Sequence, residues 1–192
     1  MSDARPTTIR AFLAVDVSPE IHAALVELKG ELARTGAAVR WVRDEGLHAT
    51  VKFLGAVPEA QLPALRAALT DAVHPRPPLA ASVRGLGVFP TLQRPRVVWV
   101  GLECAPLAAL AAAIDGAVEP LGFAPETRPF RAHITLGRVN GPAGWPRLEA
   151  ALHAHWGNDL GNCPLAELVA YRSDLRRDGA VYTKLWTIPF GG

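Results

Sequence analysis

Apolar positions along the chain fall into short unbroken runs and helical stripes, separated by clusters of turn formers. Ile9 to Val15 is apolar apart from Arg10, which predicts a central strand. Ser18-Pro19-Glu20 follows, a capping serine with proline at the first helical position. Ile21, Leu25, Leu28 and Leu32 then recur at helical spacing, and Gly36 stops the helix. Val39 to Val42 predicts a short strand and Asp44-Glu45-Gly46 a turn into a strand beginning at Leu47. Pro58-Glu59 opens a second helix with Leu62, Leu65 and Leu69 on one face, and His74 to Pro78 is a rigid linker. Leu79 to Val88 and Val97 to Leu102 predict the strands of a hairpin around Pro90 to Pro95. Pro106 opens a third helix, Leu107 to Leu121, which Gly122 ends. Thr127 to Phe130 reads as extended, Gly141 to Trp145 as a loop and Pro146 to Trp156 as a short fourth helix. Pro164 to Tyr171 and Ala180 to Phe190 predict two closing strands joined by the charged turn Arg176-Arg177-Asp178-Gly179. The pattern is α+β, in two halves of similar element order.

Two stretches break the expectation that the solvent face of a strand is merely polar. They are His48-Ala49-Thr50-Val51-Lys52-Phe53-Leu54-Gly55 and His133-Ile134-Thr135-Leu136-Gly137-Arg138-Val139, about half a chain apart. Each opens on His-x-Thr and continues in β-formers. Strand alternation puts His48, Thr50 and Lys52 on one face and Ala49, Val51 and Phe53 on the other. His133 and Thr135 likewise share a face, with Ile134 and Leu136 toward a core. A single such motif is uninformative, because histidine is common at intermediate burial. Two copies in matching contexts carry more weight.

Composition narrows the classes. At 192 residues, 49% hydrophobic and 20% charged, the chain has the profile of an ordinary globular protein able to build a core without staples. Two cysteines, Cys104 and Cys163, are too few for a disulfide scaffold and read as reduced, small buried hydrophobes. The net charge of +2 suits a small anionic substrate or an RNA end better than a long duplex. Met1 to Thr8 has no apolar signal-peptide segment, and the Ala-rich run from Ala105 to Gly116 is too short for a membrane span and holds Asp115, so the expected setting is the cytoplasm. Gly85-Leu86-Gly87 lacks the rest of any nucleotide fingerprint.

Two imidazoles facing one cleft suit paired general acid–base chemistry near neutral pH. Thr hydroxyls two residues on can donate to oxygens where charge accumulates, although strand propensity alone also accounts for Thr50 and Thr135. A metal site is the rival use of histidine, but His48 and His133 supply only two ligands and neither motif holds Asp, Glu or Cys at ligand spacing. His153 and His155 face apart on the fourth helix, and His22 and His74 read as exposed. Lys52 either adds charge to the His48 face or makes an ion pair, and Trp41 either stacks a base or is buried. Arg138 falls on the core side by simple alternation unless the strand bulges at Gly137. Arg94, Arg96, Arg128, Arg131, Arg172, Arg176 and Arg177 sit in loops or near strand ends, where some would form a mildly basic rim.

These motifs, with Ile9 to Val15, Val39-Arg40-Trp41-Val42, Arg128 to His133 and Tyr171-Arg172-Ser173, resemble the 2H phosphoesterases, and most of all their RNA 2′,3′-cyclic phosphodiesterase (2′-5′ RNA ligase) branch. The resemblance runs in order from about Ile9 to Phe190; Ala49 departs from it, standing where the family's residue is usually larger. It implies a single bilobal domain over residues 1–192, with two antiparallel sheets around a central cleft and helices outside. It implies His48 and His133 as the catalytic pair, His48 protonating the leaving 3′ oxygen and His133 activating water, though the near-symmetry of the motifs leaves the roles exchangeable. Thr50, Thr135 and Arg138 would hold the phosphate, and Phe53, a core residue by alternation, would contact the nucleotide. The implied reaction opens RNA 2′,3′-cyclic phosphate ends, tRNA fragments among them, to 2′-phosphomonoesters, with ATP-independent 2′-5′ ligation to a 5′-hydroxyl as a further reaction of the same site. No cofactor, metal or membrane is expected, and a monomer is. A small cyclic phosphate, such as ADP-ribose cyclic phosphate or a cyclic nucleotide, and non-catalytic binding of an RNA end or nucleotide are the alternatives.

Overall fold

The computed structural model describes residues 7–74, 76–176 and 179–191. The strands are β1 (Thr8–Asp16), β2 (Val39–Trp41), β3 (His48–Pro58), β4 (Ser82–Thr91), β5 (Arg94–Glu103), β6 (His133–Val139), β7 (Asp159–Asn162), β8 (Glu167–Arg176) and β9 (Gly179–Pro189). The helices are α1 (Pro19–Ala33), α2 (Leu62–Val73), α3 (Ala105–Val118) and α4 (Trp145–Ala154). The order across the sheet is β7-β4-β5-β6-β3-β1-β8-β9, with β2 also pairing β6, and every pairing is antiparallel. This is the expected α+β architecture. The two strand arrays implied by the resemblance are not separate: β3 and β6 join them through one residue pair, Ala49 opposite Ile134.

Helix boundaries follow the sequence signals. Ser18 caps α1 through its Oγ, which accepts from the Ile21 amide at 3.4 Å, and Pro19 fills the first position. Ile21, Leu25, Leu28 and Leu32 form its buried stripe. Gly122, at φ 91°, ends the turn after α3 as expected of a glycine there. Helix α1 packs on α4 and against β2 and β7, while α2 packs on α3 and β9, and α3 on β3. Each strand array is thus covered by a helix pair, and most of the apolar residues merge into one core.

Several boundaries differ from the sequence reading. The β4–β5 hairpin runs through its prolines, with Pro90 opposite Pro95 and Thr91 opposite Arg94. Leu79 makes only an isolated bridge to Leu165. A 3-10 turn, Glu59–Gln61, precedes α2. Strand β7 is not among the elements the pattern predicts, since Asp159–Asn162 has no β-branched or aromatic residue. Arg177 and Asp178 of the charged turn lie outside the described residues. Both cysteines are free, Cys163 buried and Cys104 half-buried.

Candidate active site

The one pair that joins the two arrays is the middle residue of each His-x-Thr motif. Ala49 and Ile134 are fully buried there, so the small side chain that departs from the family pattern sits within the core. Continuing the antiparallel register from that pair sets His48 across from Thr135 and Thr50 across from His133. Among the described residues β3 and β6 pair with each other nowhere else, and a cavity of about 480 Å³ opens over the junction, within the range of small-ligand sites. His48, Thr50, Phe53, His133, Thr135 and Arg138 all line it. Neither Thr hydroxyl has a hydrogen-bond partner among the described residues, and the Arg138 guanidinium has no ion pair among them.

His48 lies in an aromatic box. The Phe12 and Tyr171 rings lie nearly parallel to it, with centroids at 4.9 and 5.4 Å, and Tyr182 meets it edge-on at 5.2 Å. The imidazole is 8% exposed and its Nδ1 is buried without a partner. Burial pushes its pKa down to about 4, against the opposing field of Asp16. Asp16 is the β1 residue paired with His48. Its carboxylate accepts from the Tyr171 hydroxyl, at 2.8 and 2.9 Å to the two oxygens, and from the Lys184 amine at 2.7 Å. Burial and then this bond hold the Tyr171 hydroxyl above its usual range, while the same carboxylate raises Lys184.

His133 is placed differently. Its Nδ1 lies 2.7 Å from the Arg131 carbonyl, which can only accept, so that nitrogen carries the proton and Nε2 keeps its lone pair. Phe89 packs edge-on against the ring at 5.0 Å, with Trp99 behind at 6.4 Å. Burial lowers the His133 pKa, the bond to Arg131 raises it and the charge of Arg138 lowers it. A Cβ on Gly87 would stand 2.2 Å from Trp99 Cζ2, so only glycine lets that indole lie across β4.

Two sites of irregular register correct the alternation reading. On β3, Ala14 pairs with Thr50 but Leu13 pairs with Lys52, leaving Val51 as an extra residue. The bulge turns Phe53 out of the core, to 66% exposure over the cavity. It also takes Lys52 off the His48 face: its amine is buried, pairs with Asp115 of α3 and donates to the Ala124 carbonyl at 2.9 Å. On β6, Trp99 pairs with Thr135 but Val98 pairs with Gly137, leaving Leu136 extra. Arg138 is thereby turned to the same side as His133 and Thr135, and is exposed.

Other candidates lie elsewhere. His22 Nε2 donates to the Asp44 carbonyl at 2.9 Å, and His22 and His74 are half-buried rather than exposed. His153 stacks on Trp156, and His155 bridges Glu31 and Asn158. Among the described residues no three His, Cys, Asp or Glu lie together as metal ligands, and no helix is long and apolar enough to cross a membrane. Trp41 packs against the core. Arg128 and Arg131 line the cavity, Arg94 and Arg96 do not, and Arg172 pairs with Asp174. The sequence reading gave no role to Arg10, Phe12, Asp16, Phe89, Tyr171, Tyr182 and Lys184; the only signal was Asp16, a carboxylate closing an apolar strand.

The sequence model of the family described as LigT like Phosphoesterase matches residues 15–99 and 101–182. An RNA 2′,3′-cyclic phosphodiesterase of Methanothermobacter thermautotrophicus is 33% identical over 92% of this chain and 96% of its own. A crystal structure of a Thermus thermophilus protein superposes with a TM-score of 0.81 at 30% identity, covering 96% of this chain and 99% of that one. E. coli LigT in complex with 3′-AMP superposes with a TM-score of 0.75 at 25% identity, again over 96% and 99% of the two chains.

Proposed function

The chain belongs to the LigT-like phosphoesterase family, whose curated relatives are named RNA 2′,3′-cyclic phosphodiesterases, and we propose that it opens 2′,3′-cyclic phosphate ends of RNA by two-histidine acid–base catalysis. The observation that carries this reading is the junction at Ala49 and Ile134, around which two imidazoles and two free hydroxyls gather over one cavity. In this reading the chain works as a single bilobal domain, each half giving one His-x-Thr.

His133 is the base. Its Nδ1 is committed to the Arg131 carbonyl, so Nε2 takes the proton from water as the oxygen attacks phosphorus. His48 is the acid that hands a proton to the departing 3′ oxygen, leaving a 2′-phosphomonoester. At neutral pH the empty site holds His48 unprotonated, its pKa near 4. The anionic phosphate, entering a box of Phe12, Tyr171 and Tyr182 with little water, adds to the field of Asp16 and draws a proton onto the ring. Thr50 and Thr135 donate to the non-bridging oxygens, and Arg138 neutralises their charge. Exposed Phe53 packs against the nucleoside. With a 5′-hydroxyl attacking in place of water and the same 3′ oxygen leaving, the same groups join two RNA ends without ATP.

The test is a short RNA ending in a 2′,3′-cyclic phosphate, incubated with the protein in EDTA, with the product compared against authentic 2′- and 3′-phosphate standards. A 2′-phosphate is expected. A 3′-phosphate would reverse the orientation of the ribose between the two histidines, and no product would sink the reading.

A further inference from the structure

Next to the catalytic cavity lies a second one of about 360 Å³ that no step above uses. The two share Arg10, Phe53, Arg138 and Tyr182, so they form one continuous groove. The second adds Arg40, Arg43 and Arg176, with Glu45 as its one acidic lining residue among those described. Arg40 and Arg138 are direct cross-strand partners on β2 and β6. Like charges so placed repel and weaken a sheet. Arg10, Arg40, Arg138 and Arg176 have no ion pair among the described residues. Four guanidinium groups with no ion pair among the described residues, lining one groove, are stabilised when an anion with repeated charges bridges them. The groove also carries two of the largest exposed apolar side chains, Phe53 at its junction with the catalytic cavity and Leu175 farther along, 66% and 68% exposed. Cations and exposed apolar side chains lining one groove match a single nucleic-acid strand, whose phosphates repeat and whose bases offer flat faces.

Resting on the cyclic phosphodiesterase reading, we propose that this groove binds the phosphodiester backbone of the nucleotides preceding the cyclic end. The protein is then a reader of RNA strands and not of mononucleotides. Arg138 stands at the boundary, serving the terminal phosphate, while Arg40 and Arg176 hold phosphates upstream. The other source of the same chemistry is a separate strand, the 5′-hydroxyl partner of a ligation. Only the upstream strand makes rate depend on the length of the substrate itself.

Initial rates would be compared for a nucleoside 2′,3′-cyclic phosphate and for a hexaribonucleotide with the same end, in the wild type and in Arg40→Gln/Arg176→Gln. The wild type should favour the hexamer on the order of tenfold in kcat/KM, mostly through KM, with the advantage shrinking as salt rises. The double variant should lose that advantage and keep the wild-type rate on the nucleoside substrate. In parallel, binding of a labelled hexamer carrying a 2′-phosphate would be followed against salt. Its logarithmic slope should fall by about 0.7 for each phosphate contact removed, about 1.4 in all. Equal kcat/KM for the two substrates in the wild type, or an equal loss on both in the variant, would overturn the proposal. If the wild type turns over neither substrate, the phosphodiesterase reading has failed by itself, and the binding slope alone decides the groove: unchanged slopes reject it.

Discussion

Acid should destabilise this protein through His48 well before its carboxylates are protonated. The imidazole is 8% exposed and hemmed in by Phe12, Tyr171 and Tyr182, which hold its pKa near 4 against an ordinary 6.5. For a base whose pKa is depressed by folding, the unfolded chain binds the proton first as pH falls. Above about pH 6.5 both states are neutral there and His48 has no effect on the pH dependence. Below it the unfolded state gains protons that the folded state refuses, and stability drops with a slope approaching ~1.4 kcal/mol per pH unit. The gap between about 4 and 6.5 makes the full loss about 3 kcal/mol by pH 4. Against a typical domain stability of about 5–15 kcal/mol that is large. His133 is shifted the same way and contributes in the same window, so the two must be separated. His48→Gln removes the titrating group and keeps a polar side chain. Urea unfolding followed by circular dichroism, from about pH 7.5 to about pH 4.5 at constant ionic strength, would give the stability of both proteins. The stability advantage of the wild type over the variant should shrink by about 2–3 kcal/mol across that range. An advantage constant across that range would mean that water reaches His48 freely, and the argument from its aromatic box would be wrong.

His48→Ala and His133→Ala should each lower turnover by roughly 10² or more with the fold intact by circular dichroism, and Thr50→Ala and Thr135→Ala by less, with a bell-shaped wild-type pH profile; full activity in either histidine variant removes the paired mechanism. Activity should persist in EDTA, because Thr50, Thr135, Arg138 and a protonated His48 meet the phosphate charge; loss on chelation with recovery on added Zn²⁺ or Mn²⁺ would reassign the histidines as ligands. Asp16→Asn removes a carboxylate whose field favours a charged His48, so the NMR-measured rise of the His48 pKa on binding a 2′-nucleotide should start from a lower value than in the wild type; identical titrations would show that the pair across β1 and β3 does not communicate. Gly87→Ala should displace the Trp99 indole and lower both stability and turnover, since a Cβ has 2.2 Å of room there; unchanged Trp fluorescence and rate would contradict that packing.

What the sequence disclosed and what it hid divide along one physical line. Alternation assigns His48 with Thr50, and His133 with Thr135, to the cavity side, because the register is regular over those three residues of each strand. It fails at the very next residues. Lys52, Phe53 and Arg138 lie beyond the extra residues Val51 and Leu136, and a bulge is a count of two residues against one on another strand. Gly137 is the one local hint, and only of the second: Leu13 and Ala14 decide the first bulge, and Val98 and Trp99 place the second. The aromatic box is hidden for the same reason, since Phe12, Tyr171 and Tyr182 meet only once β1, β8 and β9 lie side by side. The failures coincide with the site because regular strands would have no such site. Unbroken pairing would send Phe53 and Arg138 into the core, where an unpaired guanidinium is untenable. Pairing β3 with β6 beyond Ala49 and Ile134 would zip the cavity shut. The positions at which strand periodicity misreads this chain are therefore those at which the fold gives up regular hydrogen bonding to open the cavity.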